Sequence, residues 1–169
     1  MSEKSVNEAV SFGARLASSQ AFADLFRDGM ALVEETAAYL DGPGRQESKK
    51  LERNGALAYA TESMRLTTRL MQLASWLLLH RAVKEGEMSL AQANKEKAKV
   101  KLSASEHNDE QNIKLLPERL RALIQRSKGL QSAVRRLDAT IHATVPTRID
   151  RGNPVERQLG LLKAAFERE

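Results

Sequence analysis

Apolar residues recur at intervals of three and four along three stretches of this chain, and turn-forming residues separate the stretches. In the first, Phe22, Leu25, Phe26, Gly29, Leu32, Val33, Thr36, Ala37 and Leu40 fall on one side of a helix predicted over 19–40. Ser18 or Ser19 offers a hydroxyl to its free amides. Asp41-Gly42-Pro43-Gly44 ends it, because glycine admits positive φ and proline denies a helical continuation. So short a turn makes the next helix an antiparallel neighbour.

That second helix is predicted over 46–85, with Gly86 as a left-handed C-cap and Lys84 near the negative end of the dipole. Its ~40 residues would span roughly 60 Å, against roughly 33 Å for the ~22 residues of the first helix. The distal half, with its apolar segment Leu70–Leu79, then needs cover from another element or another chain. Two flanks read as core: Leu66, Leu70, Leu73 and Leu77 on one, Met64, Met71, Ala74 and Leu78 on the other. Trp76 falls instead among Glu62, Arg65, Arg69, Gln72, His80 and Val83, at the centre of the polar face. A tryptophan rimmed by arginines has the composition of an intermolecular hot spot. The competing expectation is that a helix over 89–101 folds back and covers it.

Ser89 caps that short helix, and residues 102–112 form a polar loop. Pro117 sits in the first turn of a last main helix, predicted over 116–143. Leu116, Leu120, Leu123, Ser127, Leu130, Val134, Leu137 and Ile141 alternate there at four and three, a seam with one polar interruption. Beyond Ala143, Pro146, Gly152 and Pro154 break regular structure before a short amphipathic helix carrying Leu159, Leu162 and Phe166 on one face. Those three side chains suit either a cap on the core or a tethered segment that docks on a partner in the helix-in-groove manner. The expected fold is all-α, an antiparallel three-helix bundle with one long central helix and flexible termini. Its parts are an N-terminal segment 1–17, a bundle 18–143 and a tail 144–169.

Composition agrees: 41% of residues are hydrophobic and only 4% aromatic, an Ala/Leu-rich helical profile. Cysteine is absent, which excludes disulfides and thiolate metal sites. Charge is uneven, with a net −4 over residues 1–44, +4 over 45–115, +4 over 116–143 and +1 beyond. An acidic first helix can therefore lie against basic neighbours. Arg119, Arg121, Arg126, Lys128, Arg135 and Arg136 resemble a nucleic-acid face, but no stacking aromatics are interleaved with them. No signal-length apolar segment opens the chain and no run approaches the ~20 residues of a membrane span, so a soluble cytoplasmic protein is expected.

Candidate chemistry is sparse. His80, His107 and His142 lack the spacing of a helical metal pair, and His107 with Glu110 would need further ligands. No phosphate-cradling loop and no nucleophile–base motif is present. Neither an enzyme nor a cofactor is expected.

The runs GMALVEETAAYLDGPGRQ (29–46) and LAYATESMRLTTRLMQLASWLLLHRAVKEGEMS (57–89) resemble the alphaproteobacterial regulator of CtrA degradation family, with similarity over about residues 18–100. The resemblance implies a helical bundle acting as a non-enzymatic adaptor that helps the ClpXP protease receive cell-cycle regulators such as CtrA. It implies as partners a response-regulator-like primer and a cyclic-di-GMP-responsive adaptor. It assigns no role to single residues. The candidate partner-binding residues, Arg65, Arg69, Trp76, Leu159, Leu162 and Phe166, come from physical grounds alone, with a homodimer expected through the distal half of the second helix. A structural helical oligomer and a basic nucleic-acid-associated protein are the alternatives from other classes.

Overall fold

The computed structural model describes residues 3–99 and 110–143, with side chains from Ser19 to Ile141. Every regular element among the described residues is a helix. In chain order these are α1 (Glu3–Asp41), α2 (Pro43–Lys49), α3 (Arg53–Lys84), α4 (Leu90–Lys99), α5 (Glu110–Lys114) and α6 (Glu118–Ala143). Contacts group the chain into two compact units, Met1–Leu137 and Asp138–Glu169. The packing described below lies within the first.

Three element boundaries differ from expectation. Ser18 and Ser19 do not cap α1, which begins at Glu3 and runs for 39 residues. The second predicted helix is in fact two pieces, because α2 ends at Lys49 and Glu52 is extended before α3 opens at Arg53. Close packing at Gly44 fixes where the short helix sits. A Cβ there would lie 2.6 Å from the Tyr59 hydroxyl oxygen and 2.8 Å from the Tyr39 carbonyl oxygen, so only glycine lets α2 settle onto the two tyrosines. Tyr39 Oη donates to Glu47 Oε2 at 2.6 Å and pins the short helix from the other side. With α1 at 39 residues and α3 at 32, the helix-length mismatch expected from sequence is absent. Glu110–Asn112, read as loop, open α5.

Other boundaries match expectation. Gly86 takes φ +75. The Glu87 amide reaches Ala82 O at 3.0 Å and the Gly86 amide reaches Val83 O at 3.2 Å, the paired bonds of a Schellman stop. Ser89 caps α4: the Gln92 amide donates to Ser89 Oγ at 3.2 Å while Gln92 Oε1 accepts from the Ser89 amide at 3.3 Å.

The three long helices share one core. Lys84 donates to Ser19 Oγ, Phe22 meets Trp76 and Arg81 lies over the Phe26 ring, so α1 and α3 run antiparallel. Glu35 pairs with Arg126 and Arg119 lies over the Tyr39 ring, so α1 also runs against α6. Gly55 approaches the Leu115 carbonyl and Arg69 bonds Ser127, so α3 and α6 run in the same direction. Helices that run in the same direction need a connection as long as the bundle, and the chain between Glu85 and Pro117 provides it. Ala93 of α4 is buried on that route. The α6 seam forms as expected, with Leu116, Leu120, Leu123, Ser127 and Val134 buried.

Gly44→Ala is expected to lower the unfolding free energy by about 1–2 kcal/mol, because one of the atoms in the way is backbone and cannot swing aside. Urea unfolding followed by circular dichroism measures it. Burial, and then the bond to Glu47, pushes the Tyr39 hydroxyl above its ordinary pKa of 10.0. Burial, and then the Glu47 charge, does the same to Tyr59. The folded chain thus keeps protons that the unfolded chain gives up above the ordinary tyrosine value. Stability from these groups is full below pH 10.0 and falls as pH rises beyond it. Tyr39→Phe should flatten that alkaline fall in melting temperature.

Candidate partner-binding surface

α3 is rotated relative to the sequence-based expectation. Its buried positions are Glu62, Leu66, Arg69, Leu70, Leu73, Trp76, Leu77 and His80, which include most of the supposed polar face. Trp76 is 2% exposed, its ring 6.2 Å from Phe22 of α1 and 4.1 Å from His80. The indole is enclosed by its own chain and offers no surface to a partner, so the dimer contact expected through it is not available. Its ring neighbour across helices comes from α1.

Arg69, 6% exposed, is likewise interior. Its Nη1 donates to Ser127 Oγ at 2.8 Å, and that hydroxyl donates to the Ile124 carbonyl at 2.7 Å. The one polar residue of the α6 seam is therefore the acceptor for a buried guanidinium, which explains why a serine interrupts the leucines. Arg65 is the exception among the three. Half of its side chain is exposed, and Nη1 donates to Glu62 Oε1 at 2.7 Å. Leu159, Leu162 and Phe166 lie outside the described residues.

Of the two flanks read as core, Leu66, Leu70, Leu73 and Leu77 are buried, whereas that of Met64, Met71 and Leu78 faces outward, Ala74 being half-buried and Leu57 extending it. Leu57, Met64, Met71 and Leu78 are 69%, 71%, 65% and 52% exposed. They stand seven residues apart, so they stack along one side of α3, and the small residues Ala60, Thr67 and Ala74 alternate with them. From Leu57 to Leu78 that stripe holds no charged residue. Beside its middle lies a cleft of about 380 Å³ lined by Leu40, Arg45 and Ser48 together with Tyr59, Met64 and Thr67 of α3. The sequence signal for the stripe was present in the seven-residue recurrence of Leu and Met. Apolar character alone had assigned Met64, Met71 and Leu78, with half-buried Ala74, to the core.

Two of the basic residues of α6 are engaged within the chain. Arg126 Nη1 reaches Glu35 Oε2 at 2.6 Å and Arg119 stacks 5.4 Å from the Tyr39 ring centroid, so two arginines of the supposed nucleic-acid face are engaged with acidic α1 and its end. Among the described residues no group of three His, Asp or Glu side chains is placed to hold a metal ion. No described helix is long and apolar enough to cross a membrane. What the surface can do chemically is bury apolar area against another helix.

Comparison with known proteins adds two similarities. The family model described as a protein of unknown function, DUF1465, matches residues 13–166. The crystal structure of RcdA from Caulobacter crescentus CB15 is 56% identical in sequence, with a TM-score of 0.55, over 69% of this chain and 87% of that one. No curated protein matches.

Proposed function

Because this chain belongs to the DUF1465 family and, with RcdA, to the regulators of CtrA degradation, we propose that it acts as a non-enzymatic adaptor promoting proteolysis of cell-cycle regulators such as CtrA by ClpXP. The observation that carries this reading is the 56% identity to RcdA over 69% of the chain. At that identity more than half of the aligned side chains are the same. The physical picture is in keeping with it. Arg69 and Trp76 are occupied in holding the helices together, whereas α3 presents an uncharged apolar stripe to its surroundings. A protein that works by contact needs such a surface and no reactive centre. The response-regulator-like primer and the cyclic-di-GMP-responsive adaptor are the partners this reading carries, and the cytoplasm is its compartment.

Reconstituted degradation of CtrA by ClpXP tests the proposal. With primer and cyclic-di-GMP-loaded adaptor present, adding this protein should raise the initial rate of CtrA loss. Equal rates with and without it, under every combination of those partners, would sink the adaptor reading and favour a structural helical oligomer.

A further inference from the structure

We infer that the outward face of α6 is a docking surface for an acidic helix of a protein partner, seated between a line of cations on α6 and a cleft that α6 forms with α1. The inference goes beyond the adaptor reading and does not depend on it. From Arg119 to Leu137 the chain carries six cations and no carboxylate. Arg119 and Arg126 are turned to α1, over the Tyr39 ring and against Glu35. Arg121, Lys128 and Arg135 follow one another at seven residues, so they stand in a line on a different side of the helix. Lys128 is half-buried, whereas Arg121 and Arg135 are exposed and, among the described residues, in no ion pair.

Beside that line α6 carries small side chains. Ala122, Gly129 and Ser132 are exposed, and a Cβ at Gly129 would meet nothing within 4 Å. Gly129 also lines a cleft of about 430 Å³ with Leu130 and with Leu25 and Leu32 of α1, where Asp28 and Arg126 add charges of opposite sign. Small residues let another helix approach α6 closely, and apolar side chains on that helix gain the cleft.

Spacing and charge name the occupant. The cations repeat roughly every 10.5 Å, the rise of seven residues in an α-helix, so carboxylates seven residues apart on a second helix keep step with them. Same-face residues of an extended chain fall roughly 6.6 Å apart and drift out of step. A nucleic-acid duplex fits less well. It would overlie α1 as well as α6, and α1 exposes Asp28, Glu34, Glu35 and Asp41, which repel phosphate. No Phe, Tyr or Trp stands on α6 to stack an unpaired base. The partner is therefore an amphipathic helix, acidic along the flank that meets Arg121, Lys128 and Arg135 and apolar along the edge that meets the cleft.

Fluorescein-labelled, alanine-based helical peptides test this by anisotropy with the full-length chain. One has glutamate at every seventh position over three heptads with leucines beside it. A second has the same composition with the glutamates scattered round the helix, a third has lysine in place of glutamate, and a labelled DNA duplex is the last probe. The ordered glutamate peptide should bind roughly tenfold more tightly than the scattered one, the combined effect expected of three exposed charge pairs. Arg121→Glu with Arg135→Glu should lose that advantage and bind the lysine peptide instead, with unchanged helicity. The milder Arg121→Gln with Arg135→Gln should lose the advantage without gaining the lysine peptide. Gly129→Phe, which starts a ring in open space, should weaken the ordered peptide while leaving every cation in place. Equal binding of ordered and scattered peptides would overturn the helical match. Binding that survives Gly129→Phe would overturn the seat beside the cleft, and tighter binding of the duplex than of any peptide would overturn the choice of a protein partner. None of these readouts involves CtrA turnover, so they can fail while the adaptor reading stands.

Discussion

Replacing Trp76 by alanine is expected to lower the unfolding free energy by about 3–5 kcal/mol, the usual cost of removing a fully packed large aromatic. Trp76 is 2% exposed, between the Phe22 ring and His80, and lies between two helices that run in opposite directions. Deleting the indole would leave an apolar cavity between α1 and α3 that packed helices close only in part. Chemical denaturation at two protein concentrations separates this from an effect on association. A loss in stability that is the same at both concentrations is the expected result, and a variant that unfolds like the native chain while losing only self-association would show that the indole acts between copies.

Ser127→Ala is expected to cost about 2–3 kcal/mol, more than loss of an ordinary hydroxyl. Ser127 is fully buried and accepts from the Arg69 guanidinium, so its removal strips an acceptor from a charged side chain that is only 6% exposed. The direction can be checked by a second substitution. Arg69→Leu made together with Ser127→Ala removes both members of the interaction and should recover most of the loss, because a buried polar pair replaced by apolar groups of similar volume is close to neutral. If the double variant is less stable than Ser127→Ala alone, the guanidinium contributes chiefly through its other contacts. Double-mutant analysis of urea midpoints gives the coupling between the two residues.

The α6 seam was legible because its periodicity is strict over several heptads and the neighbouring proline marks where it starts. Gly86 and Ser89 were legible for a similar reason. A left-handed stop and a hydroxyl cap are local devices whose geometry depends on a few consecutive residues. The division of the second predicted helix into α2 and α3 was not, since neither glycine nor proline stands between Lys50 and Arg53 to mark the extended backbone at Glu52. The rotation of α3 was the most consequential difference. Both flanks of that helix are apolar enough to be core, and a face containing Glu62, Arg69 and His80 looks like a surface when read alone. It becomes interior because α6 brings Ser127 to Arg69 and α1 brings Phe22 to Trp76.

The sequence by itself thus determined that this chain is helical, where most helices stop, which side of α6 is buried, and through continuous wording over much of its length which family it belongs to. Each of those depends on neighbours within a few turns or on inheritance. Tertiary structure alone decided which of three plausible faces of α3 the core would take. That choice is a comparison of whole interfaces. Burying Trp76 with a satisfied guanidinium won over burying two methionines, because a large ring and a bonded charge filled the space between α1 and α6, and the stripe of Leu57, Met64, Met71 and Leu78 was left outside as the consequence.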